Sequence, residues 1–155
     1  MQLMKKILLL IFIFTYVQFS YAQSNCVGAL ALTPGVQQCG NSTGQLGDFP
    51  ADGSAPTNPC ISFYNDDEYW FEYTAVTDGE SIDLALSALS GEYAGIFVLD
   101  DCPTNTPTCI SSADNGASSD DLIFNTGSLT AGVSYKIVIA SWGPPDNTAF
   151  CLDAV

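Results

Sequence analysis

"YWFEYTAVTDGESIDLAL", residues 69–86, is the stretch whose reading decides the fold. Tyr69, Phe71 and Tyr73 alternate with Trp70, Glu72 and Thr74; further on, Ile82, Leu84 and Leu86 alternate with Asp83, Ala85 and Ser87. A repeat of two is the period of an extended chain, whose successive side chains leave opposite faces. "TDGE" (Thr77 to Glu80) has turn chemistry and predicts a hairpin joining the two strands. Trp70 sits mid-strand and reads as core.

The same texture continues in both directions. Ala29 to Leu32 starts the pattern, and Cys39 to Pro59 reads as loop, full of Gly, Ser, Pro and Asn. "YAGIFVL" (Tyr93 to Leu99) is a continuous apolar run, as expected of a central strand covered on both faces. Short strands are expected from Cys109, over Leu122 to Phe124, over Val133 to Ala140 with Tyr135, Ile137 and Ile139 on one face, and over Ala149 to Leu152. Ser112 to Asp121 and Ser141 to Asn147 read as polar loops. No convincing helical period follows the first segment. About eight short strands bounded by turns predict an all-β fold: a disulfide-stabilised antiparallel β-sandwich of the jelly-roll or Greek-key kind.

The first 22 residues read as a signal peptide. Lys5 and Lys6 form a positive start, Ile7 to Val17 an apolar stretch too short for a comfortable membrane span, and Ser20 with Ala22 a small-residue cleavage site. Residues 23–155 then form a single domain with no membrane insertion, secreted or held at the cell surface, with the periplasm as the alternative. Within it Lys136 is the one basic residue, against 17 acidic ones. Such a surface repels phosphate backbones, which excludes nucleic acid as a partner and favours divalent cations.

All six cysteines (Cys26, Cys39, Cys60, Cys102, Cys109, Cys151) follow the signal segment, and an even count in an exported chain implies disulfides. Spacing leaves the connectivity open. Position suggests Cys102–Cys109 around "PTNTPT", Cys26–Cys151 tying the two ends, and Cys39–Cys60 closing the flexible segment between them, worth about 3 kcal/mol in the chain-entropy picture.

Several landmarks together resemble a known family. "ALAL" (29–32), "EYWFEYTA" (68–75), "IFVLDDC" (96–102), "CISSADNG" (109–116), "LTAGVSYKIVIA" (129–140) and "AFCL" (149–152) follow the order of the secreted β-sandwich module of Bacteroidetes proteins that is similar to the bacterial pre-peptidase C-terminal domain. The resemblance spans nearly all of residues 23–155. It implies an accessory module of secreted adhesins, peptidases and glycan-degrading proteins, many of which carry a type IX sorting domain. Two positions depart from the pattern: Glu68 stands where relatives carry Asp, and Ala131 where they carry Pro.

Catalysis is not expected. The chain has no histidine, so neither a Ser-His-Asp nor a Cys-His site can form. Glycosidase carboxylates need a cleft that a small flat sandwich rarely builds. Calcium is the one cofactor to weigh, since it takes six to eight oxygen ligands. Asp66, Asp67 and Glu68, read as a loop before the strand, Asp100 and Asp101, and Asp114 with its neighbours Asn115, Asp120 and Asp121 are the candidate ligands. Their bland alternative is ordinary turn chemistry. Trp142, Tyr64 and Phe49 fall on expected loops, where aromatics can grip a polysaccharide or a surface protein. The expected function is a non-catalytic interaction or accessory module; the alternative is a purely structural spacer.

Overall fold

The computed structural model describes residues 24–45, 47–50, 52–87, 89–143 and 147–155. The expected signal peptide lies outside the described residues, as do residues 144–146 of the Ser141–Asn147 loop. Nine strands are described: β1 (Leu30–Ala31), β2 (Gln38–Asn41), β3 (Tyr64–Thr74), β4 (Asp83–Ser87), β5 (Ala94–Leu99), β6 (Cys109–Asp114), β7 (Leu122–Asn125), β8 (Ser134–Trp142) and β9 (Ala149–Ala154). Two short 3-10 turns, Cys26–Gly28 and Pro103–Asn105, are the helical segments among the described residues.

The strands form a β-sandwich. One sheet has the order β1-β3-β8-β5-β6 and the other β2-β9-β4-β7. Every pairing is antiparallel except β1 with β3. The expected hairpin across Thr77–Glu80 does not form. β3 pairs with β1 and β8, whereas β4 pairs with β7 and β9, so the chain crosses from one sheet to the other. The turn itself is real. The Glu80 carboxylate accepts the Tyr73 hydroxyl (2.7 Å) and the backbone N–H groups of Val76 and Thr77 (both 2.9 Å). These donors, the Tyr73 hydroxyl first, pull its carboxyl down to about 2.

Period-two alternation sorts the first sheet between two cores. Tyr69, Phe71, Ile96, Val98, Tyr135, Ile137 and Ile139 face the second sheet and pack with Leu84, Leu86, Phe150 and Leu152. Trp70, Phe97, Leu99, Val138 and Ala140 join the opposite cluster, where the loop residues Cys26, Phe49, Cys60 and Ile61 cover them. β5 is therefore buried at every position, which is why its sequence is a continuous apolar run. It lies beside the central β8.

This second core accounts for the disulfides, which differ from all three expected pairs. Cys26 bonds Cys102 and Cys60 bonds Cys109, fastening the covering loops onto the first sheet, while Cys39 bonds Cys151. Cys102 and Cys109 flank a short loop, but each pairs with a cysteine of the covering layer. Cys39 lies directly opposite Cys151 in the β2–β9 register. β2 overlaps the start of the Cys39–Pro59 stretch expected to be loop, because "QCGN" carries no apolar alternation. β6 likewise runs on to Asp114, into the expected Ser112–Asp121 loop.

Candidate functional site

The three carboxylates expected to form a loop before β3 lie inside it, at its irregular start. The β3–β8 register shifts between Tyr64 and Asp66 and again between Asp66 and Tyr69. Asp67 has φ 47°, a left-handed conformation that Asp tolerates better than most residues. Glu68, next to this bulge, lies on the same face as Trp70. Its side chain is fully buried, and its Oε2 accepts the Asp48 N–H and the Trp70 indole N–H while its Oε1 accepts the Phe49 N–H, all at 2.8 Å. Burial pushes its carboxyl up to about 8, against the opposing pull of the three donors. Glu68 is thus an internal acceptor that folds the Asp48–Phe49 segment over Trp70, and not an exposed cation ligand.

Gly47 is part of this arrangement, since a Cβ there would run into the Glu68 carboxyl. Gly47→Ala is expected to cost about 2 kcal/mol, because relief requires displacing a buried hydrogen-bonded carboxyl. Urea titration checks this, and a loss below about 0.5 kcal/mol would show that the loop moves freely.

The other candidate cation ligands are dispersed. Asp100 Oδ1 accepts the Thr108 N–H (2.6 Å), and Asp101 Oδ1 accepts the Cys102 N–H (2.7 Å) and the Asn105 amide (3.1 Å). Asp114 Oδ1 accepts the Tyr64 hydroxyl (3.0 Å) and the Gly116 N–H (3.1 Å). Asp66 and Asp114 belong to one end of the first sheet, near Ser141. Asp100 and Asp101 follow Leu99, whose β8 partner is Lys136. The two ends are five residues of strand apart, about 17 Å. Among the described residues no group of three or more His, Cys, Asp or Glu could hold a metal ion.

The aromatic candidates separate in the same way. Phe49 is buried against Trp70, with ring centroids 5.8 Å apart, so its place is core and not a binding loop. Tyr64 opens β3 and is also buried; its ring packs on Phe97 at 5.4 Å. Burial, then the hydrogen bond to Asp114, raises its phenol above the ordinary range. Trp142 is different: it is 41% exposed at the end of β8.

The exposed face of Trp142 has a partner that the sequence reading missed. Phe63, 60% exposed, stacks on it with centroids 5.1 Å apart and ring planes 11° from parallel. Tyr93 and Tyr64 meet Trp142 edge-on at 5.5 and 6.2 Å, and the Trp142 N–H donates to the Tyr93 carbonyl. Phe63 is held by the turn in which the Tyr64 N–H donates to the Ile61 carbonyl. Beside the pair lies an open cleft of ≈ 440 Å³, lined also by Asp52, Thr57, Ser62 and Asn65. The Asn65 amide donates to the Pro50 carbonyl (2.8 Å) and fixes the far wall. The adjacency of Phe63 to Tyr64 was visible in sequence. What was not visible was the Tyr64–Trp142 register that delivers Phe63 to the indole.

Comparison with known proteins adds a distant shape. No protein-family model matches the chain, and a search of curated proteins finds no match. Among solved structures, the chain is similar to Aeromonas hydrophila PliG, a periplasmic lysozyme inhibitor of g-type lysozyme, at 12% sequence identity and a TM-score of 0.45, over 84% of this chain and 97% of that one.

Proposed function

We propose that this chain is a non-catalytic, exported binding module whose macromolecular ligand docks on the Phe63–Trp142 pair and the adjoining cleft. The observation that carries the reading is a stacked aromatic pair exposed on the rim of the sandwich. Two large apolar rings facing solvent are left in place by folding only at a cost in hydration, and such rings are the usual anchors of binding surfaces. Export follows from the signal-like first 22 residues and from three disulfides, which persist in oxidising compartments. A binding role also suits a chain without histidine whose best-placed internal carboxylate, Glu68, is occupied by three N–H donors.

The test is a binding panel of polysaccharides and purified exported proteins, run with wild type and with the double substitution Phe63→Ala/Trp142→Ala. Both rings are partly exposed, so the double variant is expected to lose only about 1–2 kcal/mol of stability while losing at least about tenfold in affinity. A ligand bound equally well by both proteins would move the site elsewhere on the sandwich. Binding by neither, across the panel, would favour the spacer role.

A further inference from the structure

Resting on that reading, we infer that the Phe63–Trp142 cleft receives an arginine side chain from the surface of a basic protein partner. Three independent features converge on this ligand chemistry. The first is the solvent-exposed surface of the stacked Phe63–Trp142 rings. A guanidinium is planar and weakly hydrated for a cation, and it stacks on indole and phenyl rings where the ring quadrupole attracts it.

The second feature is the charge of the lining. Among the described lining residues Asp52 is the one that carries a charge. Its Oδ1 accepts the Ser54 N–H at 2.9 Å, and this contact holds its carboxyl below the usual range, so it stays ionised. A guanidinium lying flat on the rings keeps all its in-plane N–H donors free for a carboxylate that lines the same cleft. The Asn65 amide, in contrast, already donates to Pro50.

The third feature is the field of the whole molecule. The chain carries a formal charge of −14, and Lys136, its one basic residue beyond the expected signal peptide, is paired with Glu72. Such a field draws a basic surface in and speeds its encounter. The same field repels phosphates, sulfates and uronates, and it gives a neutral sugar no advantage. Charge complementarity therefore favours a basic protein over a polysaccharide in the same cleft.

The experiment uses the folded, disulfide-bonded protein and three probes: a blocked pentapeptide with two arginines, the same peptide with citrulline in their place, and a neutral tetrasaccharide. Trp142 is exposed and Trp70 is buried, so a change in tryptophan emission reports on the cleft. Calorimetry covers the variants that lack Trp142. The arginine peptide is expected to bind at least about tenfold more tightly than the citrulline peptide, and to lose about fivefold or more with Phe63→Ala, Trp142→Ala or Asp52→Asn. Phe63→Ala removes a ring that is mostly in solvent and guards against a folding defect in Trp142→Ala. If the arginine peptide binds equally well to all variants, its attraction is diffuse and the inference falls. If the tetrasaccharide binds in a Trp142-dependent way and the arginine peptide does not, the inference falls while the binding reading stands. If no probe shows Trp142-dependent binding, the inference falls, and the panel above then decides the binding reading by itself.

Discussion

Replacing Glu68 by alanine is expected to remove most of the stability of the domain. Two buried N–H groups, from Phe49 and the Trp70 indole, and the part-buried N–H of Asp48 would lose their acceptor together. Each unsatisfied buried donor costs about 1–3 kcal/mol, so the sum is on the order of 5 kcal/mol, comparable with the whole stability of a small domain. Glu68→Gln is milder. Its amide oxygen can keep two of the donors while its NH₂ faces the third, for a loss of about 2–3 kcal/mol. Equilibrium unfolding in urea separates the two. Similar small losses for both would mean that water replaces the carboxylate and that the cover over Trp70 is looser than its burial implies.

The same residue gives the domain a pH dependence of definite sign. Its folded carboxyl sits at about 8, above the ordinary value of 4.5, so between these values the folded state holds a proton that the unfolded state releases. Stability from this group is fully present below about pH 4.5 and is lost as pH rises toward 8, by a few kcal/mol in all. Most exported domains lose stability in the other direction, through carboxylates protonated at low pH. In Glu68→Gln the slope between pH 5 and 8 should flatten, because an amide does not titrate there. The gap between wild type and Glu68→Gln should therefore narrow as pH rises. A wild-type melting temperature that climbs from pH 5 to 8, with no change of slope in the variant, would show that the three donors outweigh burial.

How much of this was legible in the sequence depends on the range of the interaction. Alternation at 69–74, 83–87 and 135–139 is local, and it placed those strands correctly. The continuous run at 94–99 also told truly of burial on both faces. Sheet membership is not local. Nothing in "TDGE" distinguishes a hairpin from a crossover, because both need the same turn, and the choice was made by where β8 and β9 offered pairing edges. The cysteines failed for a related reason. The second core on the outer face of the first sheet has no sequence signature, since its covering loops look like ordinary Pro- and Gly-rich linkers. Without that layer there was no reason to send Cys26 to Cys102 or Cys60 to Cys109. Glu68 was closer to reach. A strand period of two places it on the face of Trp70, and an acceptor two residues from a buried indole N–H is a pairing that alternation alone suggests. The aromatic site was half legible. Trp142 was expected on a loop as a ring that could grip a ligand and stands instead at the end of β8, while Phe63, mostly in solvent, becomes meaningful only through the register that stacks it on the indole.

Removing the Cys39–Cys151 bond, by Cys39→Ala with Cys151→Ala, is expected to cost about 4–5 kcal/mol and to lower the melting temperature by about 15 °C. The two residues are 112 apart in sequence, the longest loop that any of the three disulfides closes. In the folded protein the bond adds little that β2 and β9 do not already have. Gln38–Leu152 and Gly40–Phe150 pair on either side of it, and the Gln37 side chain donates to the Asp153 carboxylate at 2.8 Å. Cys39 itself is exposed, so little apolar surface is lost with the sulfur. The effect should therefore come from the unfolded chain, which gains freedom when a loop of this length opens. That origin has its own signature: the urea dependence of the unfolding free energy should steepen, because the unlinked chain expands and exposes more surface. Loss of Cys26–Cys102 should behave differently. Cys26 is buried in the second core, and its release also frees the layer that covers Trp70 and Phe97. That variant should gain exposed apolar surface in the folded state, detectable by dye binding before any melting. An equal dye signal from both variants would place the Cys39–Cys151 bond among the native contacts of the core, contrary to its position on an edge that the β-ladder already secures.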